Sequence, residues 1–120
     1  MKYTESHEWI DLDNQIGKVG ITKYAQKELG QIVYIELPEV GQHVDAGQEI
    51  AVLESTKAAA DIYSPVSGVV MEINSAVKED LSLINQHPEK EGWLFKIELD
   101  DARELDVLHN YKDYMELVSS

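Results

Sequence analysis

The chain has 120 residues, enough for one domain that buries roughly two thirds of the surface it exposes when unfolded. Its 23 acidic residues against 10 basic ones give a formal net charge of -13, a surface that repels nucleic-acid phosphates and anionic membranes. There is no cysteine, so no disulfide frames the fold, and any thiol chemistry has to arrive with a cofactor or a partner.

In chain order, the opening "MKYTESHEWIDLD" is mixed in charge and lacks an apolar core segment, which argues against a leader peptide. No apolar run reaches about eighteen residues, which argues against a membrane helix, and a cytoplasmic protein is expected. "EWIDLD" and "IGKVGIT" read as short strands separated at "DNQ". Thr22 is placed to cap "KYAQKEL" and Gly30 to end it, which predicts a short helix over 23–29. "QIVYIEL" is a β-branched and aromatic strand closed by Pro38. "HVDAGQEIAVLE", "AADIYSPV", "GVVMEIN" and "GWLFKIEL" follow, spaced by glycine, proline and asparagine, and this rhythm of short strands indicates a sandwich or barrel. Asp101 with Glu104 resembles a capping box, and Asn110 is placed to cap "YKDYMELV", so the C-terminus is expected to be helical over about 101–118. There Tyr111, Tyr114, Met115 and Val118 share one face at helical spacing and are expected to pack on the core. With no linker or repeat, one domain over 1–120 is expected.

Lys57, in "ESTKAAADIYSPVSG", is the residue that asks for an explanation. Two strand-like runs meet there over a connection short enough to be a hairpin turn, so its amine should stand in water at the tip. Three alanines follow it and leave the approach open, while Glu54 and Asp61 flank it at minus three and plus four. Gly41 and Gly68 fit tight turns beneath such a hairpin. An exposed lysine on an ordinary turn is the plain alternative. The four histidines have no paired metal-ligand spacing, no glycine-rich phosphate signature is present, and Trp9 and Trp93 read as core anchors.

The segment "ESTKAAADIYSPVSG" resembles the lipoyl-attachment motif of the glycine cleavage system H protein family. The resemblance continues in "HEW", in "VGITKYAQKELGQIVYIELPEVG" and in "INSAVKEDLSLINQHPEKEGWLFKI", in order, over nearly the whole chain. It implies a mainly β fold, a lipoyl-domain-like barrel-sandwich hybrid of two antiparallel sheets with short helices and a helical C-terminus. It implies lipoic acid joined to Lys57 as an amide by a lipoyl ligase or transferase, with Glu54, Gly41 and Gly68 serving recognition and presentation of the hairpin. It also implies a carrier, not an enzyme. Such a carrier takes the aminomethyl group of glycine from glycine decarboxylase, a pyridoxal-phosphate enzyme, to aminomethyltransferase, and is then reoxidised by dihydrolipoamide dehydrogenase. The matching positions Ser6, Glu8 and Asp61 would hold the cationic amine in a surface cleft; the plain alternative makes Glu8 and Asp61 ordinary surface acids of an acidic chain. A monomer is expected. A paralogue that relays lipoyl groups to other carriers, or serves a modification or stress pathway, would share these residues. A biotinyl carrier normally has methionines beside its lysine, where this chain has Thr56 and Ala58. A Schiff-base lysine needs desolvation that an open tip does not give.

Overall fold

The computed structural model describes residues 1–119. Nine strands form two antiparallel sheets. One sheet has six strands in the order β1-β2-β3-β9-β8-β5, and the other has three in the order β4-β6-β7. The strands are β1 (Lys2–Tyr3), β2 (Glu8–Asp13), β3 (Ile16–Ile21), β4 (Ile32–Glu36), β5 (His43–Val44), β6 (Glu49–Ser55), β7 (Ala59–Tyr63), β8 (Gly68–Ile73) and β9 (Phe95–Leu99). Alternating side chains from both sheets, among them Ile10, Val19, Leu53, Ile62, Val70 and Ile97, meet in one buried cluster. Removing such side chains from water is the main stabilising term.

The helix expected over 23–29 is present as α1 (Lys23–Leu29), with the Thr22 hydroxyl accepting from the Ala25 N–H at 3.1 Å. Two helices were not legible, α2 (Ser75–Glu79) and α3 (Ser82–Gln86). Each spans five residues, too short to show a helical repeat or to be stable alone. They hold because Val77 and Ile84 are fully buried and because Asn85 clamps the start of β4. The Asn85 side chain accepts from the Ile32 N–H at 2.8 Å and donates to the Ile32 carbonyl at 3.1 Å.

The expected capping box is only half formed. The Asp101 side chain accepts from the Arg103 N–H at 3.0 Å, at the start of a 3-10 helix over Ala102–Val107. Hydrogen bonds to Arg103 hold the Asp101 carboxyl down at about 2. Glu104 turns away from the cap and accepts from the Ser67 N–H at 2.8 Å and the Ser67 hydroxyl at 3.1 Å, tying this helix to the entry of β8. The last helix, α4 (Tyr111–Ser119), starts where the Asn110 side chain accepts from the Asp113 N–H at 2.8 Å. The expectation for its apolar stripe needs correction. Tyr114 is buried against Tyr3 and Trp9 with Val118 beside it, but Tyr111 is 61% exposed and Met115 39% exposed. A nine-residue helix has only one line of contact with the sheet, and that line runs through Tyr114.

One exposed pair gives a pH test. His43 on β5 and Asp100, just past β9, approach to 2.7 Å, and this hydrogen bond raises the imidazole pKa above its ordinary value near 6.5. Because the folded value is the higher one, the stabilisation is complete below about pH 6.5 and is lost as the pH rises through the folded value. In an NMR titration the His43 midpoint should lie above 6.5 and fall back toward it in Asp100→Asn. Equal midpoints in the two proteins would contradict the assignment.

Candidate functional site

The β6–β7 pairing, with Glu54 opposite Ala59, leaves Thr56, Lys57 and Ala58 as the tip of a hairpin. The tip is held by one side chain that the motif reading passed over. The Ser55 hydroxyl accepts from the Lys57 N–H at 3.0 Å and from the Ala58 N–H at 3.1 Å, and donates to the Ala58 carbonyl at 3.2 Å. The Ser55 N–H donates to the same carbonyl at 2.8 Å. A serine two residues before a turn tip is a sequence signal for such a hydroxyl-closed turn. The Thr56 N–H then donates to the Gln31 carbonyl at 3.1 Å, which docks the tip on the connection between α1 and β4.

Lys57 is exposed, and no ion pair holds its ammonium among the described residues. Its stem crosses Gly30. A Cβ on Gly30 would sit 3.3 Å from the Lys57 Cε, and Gly30 also has φ +85°, a backbone that other residues adopt at a cost. Of the nine lysines, Lys57 alone stands at a hairpin tip; the others lie on strands, helices or a turn. Glu54 is exposed on β6 between Tyr34 and Ala59.

Beside the hairpin lies a cleft of about 200 Å³ lined by Ser6, His7, Glu28, Leu29, Ala60 and Asp61, among others. Ser6 and Asp61, expected to act together, are therefore brought together. Glu8 is not with them at the surface. It is 1% exposed, and its carboxylate is taken up by protein donors: Oε1 accepts from the Thr4 hydroxyl at 2.5 Å and the Ser6 hydroxyl at 2.6 Å, and Oε2 from the Tyr63 N–H at 3.3 Å. The expected surface acid is a buried brace behind the cleft lip, joining the β1–β2 turn to β7.

His7 belongs to the lip, and the buried Tyr114 stands behind it. His7 has φ 75°, a strained backbone for a residue with a Cβ, and is pinned from several sides. Its carbonyl accepts from the Thr22 N–H at 3.0 Å, and its Nδ1 meets the Tyr114 hydroxyl at 2.8 Å. That hydroxyl also lies 2.7 Å from the Thr22 Oγ1, and burial pushes the Tyr114 phenol pKa up. The cleft lip, the N-cap of α1 and the C-terminal helix thus share one hydrogen-bonded chain.

Gly41 and Gly68 belong to neither strand of the hairpin. Gly68 is the first residue of β8, pairs with Val44 and Leu99 in the six-stranded sheet, and sits in no turn. Gly41 does lie in a turn, with φ +92°, and its N–H donates to the Val70 carbonyl at 2.7 Å on that same sheet. Both glycines therefore stand at the six-stranded sheet, away from the hairpin strands.

Removing the Ser55 hydroxyl should leave the fold intact but loosen the tip. Ser55→Ala is expected to cost about 1 kcal/mol in urea unfolding, since net hydrogen bonds are worth about that. Amide hydrogen exchange at Lys57 and Ala58 should accelerate about tenfold, with β8 unchanged. Equal exchange at the tip would show that the backbone alone holds it.

An exposed, unpaired lysine displayed by a rigid turn beside a carboxylate-bearing cleft suits a covalently tethered group. The comparisons with known proteins agree. The family model described as glycine cleavage H-protein matches residues 1–120. A glycine cleavage system H protein of Thermotoga maritima is 48% identical over 115 residues, covering 96% of this chain and 93% of that one. One of Carboxydothermus hydrogenoformans is 49% identical over 118 residues, covering 98% and 91%. The crystal structure of a glycine cleavage system H protein from Mycobacterium marinum superposes with a TM-score of 0.91 at 34% identity, over 99% of this chain and 96% of that one. With the model matched from end to end, the fold shared and nearly half the residues identical, this chain belongs to the glycine cleavage H-protein family, the lipoyl carriers of the glycine cleavage system.

Proposed function

We propose that Lys57 is the lysine on which this carrier bears lipoic acid, as an amide on Nζ. What supports the reading is the tip itself: an exposed amine on a turn fixed by Ser55, with alanines after it. Bound there, a lipoyl group supplies the disulfide and dithiol couple that a chain without cysteine lacks.

The chain's own residues divide the remaining work. Ser55 and the Thr56–Gln31 bond keep the tip in one conformation, so that an attaching enzyme, a lipoyl ligase or transferase, meets a preformed hairpin. Glu54, exposed beside the tip, offers that enzyme a carboxylate. Asp61, with the Ser6 hydroxyl beside it in the cleft, offers acceptors to the ammonium of the fragment carried from glycine. Glu8, behind Ser6, fixes that hydroxyl's direction and does not meet the cargo. Successive partners would be glycine decarboxylase, aminomethyltransferase and dihydrolipoamide dehydrogenase, met by a monomeric carrier in a bacterial cytoplasm. The bacterial relatives support that setting.

The experiment is a reconstitution with the decarboxylase, aminomethyltransferase and dehydrogenase, and with tetrahydrofolate as the one-carbon acceptor. Chain treated with a lipoyl ligase should support glycine-dependent reduction of NAD, and Lys57→Arg should not. Activity retained by the arginine variant would defeat the reading. Asp61→Asn should keep its dehydrogenase turnover, while a carrier charged from glycine releases ammonia roughly ten- to a hundredfold sooner, the scale of one charge-assisted contact. An unchanged release rate would reduce Asp61 to a solvated acid.

A further inference from the structure

We propose a second resting place for the lipoyl arm, distinct from the cleft: an open groove of about 590 Å³ that takes the arm when it bears no charge. The inference rests on the reading of Lys57 as the attachment site. The last turn of α1 divides the two hollows. Ala25, Glu28 and Leu29 line the cleft, and Gln26, Lys27 and Gly30 line the groove, as the two sides of one helical turn should. Lys57 sits on the divide, its Nζ 3.7 Å from where a Gly30 Cβ would lie, so its stem already crosses a residue of the groove wall.

The two hollows differ in chemistry. The cleft carries the carboxylates of Glu28 and Asp61 and no lysine or arginine. The groove has apolar surface from half-exposed Val33 and partly exposed Leu81, amides from Gln26, Gln31, Asn85 and Gln86, and Lys27 as the one charge in its lining. A cationic amine is drawn to the first and repelled by the second. A neutral dithiolane on its methylene stem has the opposite preference, because apolar surface favours it and carboxylates give it nothing. Asn85 is already engaged with both backbone groups of Ile32, and the Gln26 amide donates to the Gly30 carbonyl at 3.2 Å, so covering these groups with an apolar one leaves their bonds in place, while Gln31 and Gln86 are exposed. A short flexible tether holds its end at an effective concentration in the millimolar range, and a groove of about millimolar intrinsic affinity is then about half filled. The charge of the cargo therefore sorts the arm between the two sites, with no bond made or broken.

The test compares methyl NMR spectra of the whole chain before and after treatment with a lipoyl ligase, with intact and peptide mass spectrometry locating the addition. The oxidised arm should shift the methyls of Val33 and Leu81 and leave those of Ile21 and Ile62, which line the cleft, in place. Val33 is half-exposed on an edge strand, and Val33→Glu puts a charge on the groove without touching the core. In that variant the groove shifts should shrink by about half or more, and reduction of the lipoyl disulfide by tris(2-carboxyethyl)phosphine should quicken about twofold. Shifts confined to Ile21 and Ile62, no shifts, or an unchanged reduction rate, in a chain shown to be modified at Lys57, would overturn the groove alone. A chain that takes no lipoyl group at Lys57 would overturn the groove and the attachment reading together.

Discussion

Gly68→Ala is expected to be among the most destabilising single substitutions in the chain, at about 2–4 kcal/mol. A Cβ there would lie 2.1 Å from the Glu98 carbonyl oxygen and 2.9 Å from its carbon, both backbone atoms of the paired strand β9. Backbone held on both sides by a sheet cannot swing away as a side-chain tip does, so β8 and β9 have to part. Gly41→Ala is the control. Its Cβ would meet nothing within 4 Å, and it suffers only the left-handed backbone, about 1–2 kcal/mol. At roughly 3–6 °C per kcal/mol for a chain of this size, calorimetry should place Gly68→Ala clearly below Gly41→Ala in melting temperature. Both, once folded, should accept a lipoyl group at the wild-type rate. Equal melting temperatures would mean that the sheet gives more easily than its geometry indicates.

Glu8→Ala should cost about 3–5 kcal/mol, although it replaces an acid near a proposed ligand cleft. The substitution empties a fully buried volume and strands the Thr4 and Ser6 hydroxyls and the Tyr63 N–H, all of which now donate to the carboxylate. Glu8→Gln keeps the volume and one good acceptor. Its amide can face the two hydroxyls, which are able to turn and accept, so about 1–2 kcal/mol is expected. The decisive condition is that both losses appear in the chain without any lipoyl group. Urea unfolding of the unmodified variants measures this directly. A Glu8→Ala chain as stable as wild type until it is lipoylated and charged would instead make Glu8 a contact of the cargo.

The contrast between Glu8 and Lys57 shows how far the sequence carries. Lys57 was legible because its signal is local: two strand patterns, a connection of three residues and small neighbours fix a hairpin tip whatever the rest of the chain does. The strands β2 and β3 and helix α1 were legible for the same reason, since the short strand-like runs, the turn at "DNQ" and the Thr22 cap lie within a few residues. Glu8 was not, because acids are rarely fully buried and its three donors include the N–H of a residue 55 positions away. The C-terminal stripe shows the same limit. Helical spacing puts Tyr111, Tyr114 and Met115 on one side, but the width of that side actually covered depends on how α4 meets β1, which no local pattern states. Strand β1 has only two residues and exists through its pairing with β2 and the bridge from Tyr3 to His109.

The central claim is that Lys57 bears the lipoyl group, and peptide mapping of the ligase-treated chain tests it most directly. An acylated lysine is not cut by trypsin, so modification at Lys57 should join the segments on either side into one peptide running from Glu28 to Lys78, heavier by one lipoyl group. The other eight lysines should be cut as in the untreated chain, and Lys57→Arg should gain no mass. A lipoyl group found on any other lysine, or persisting in Lys57→Arg, would contradict the account.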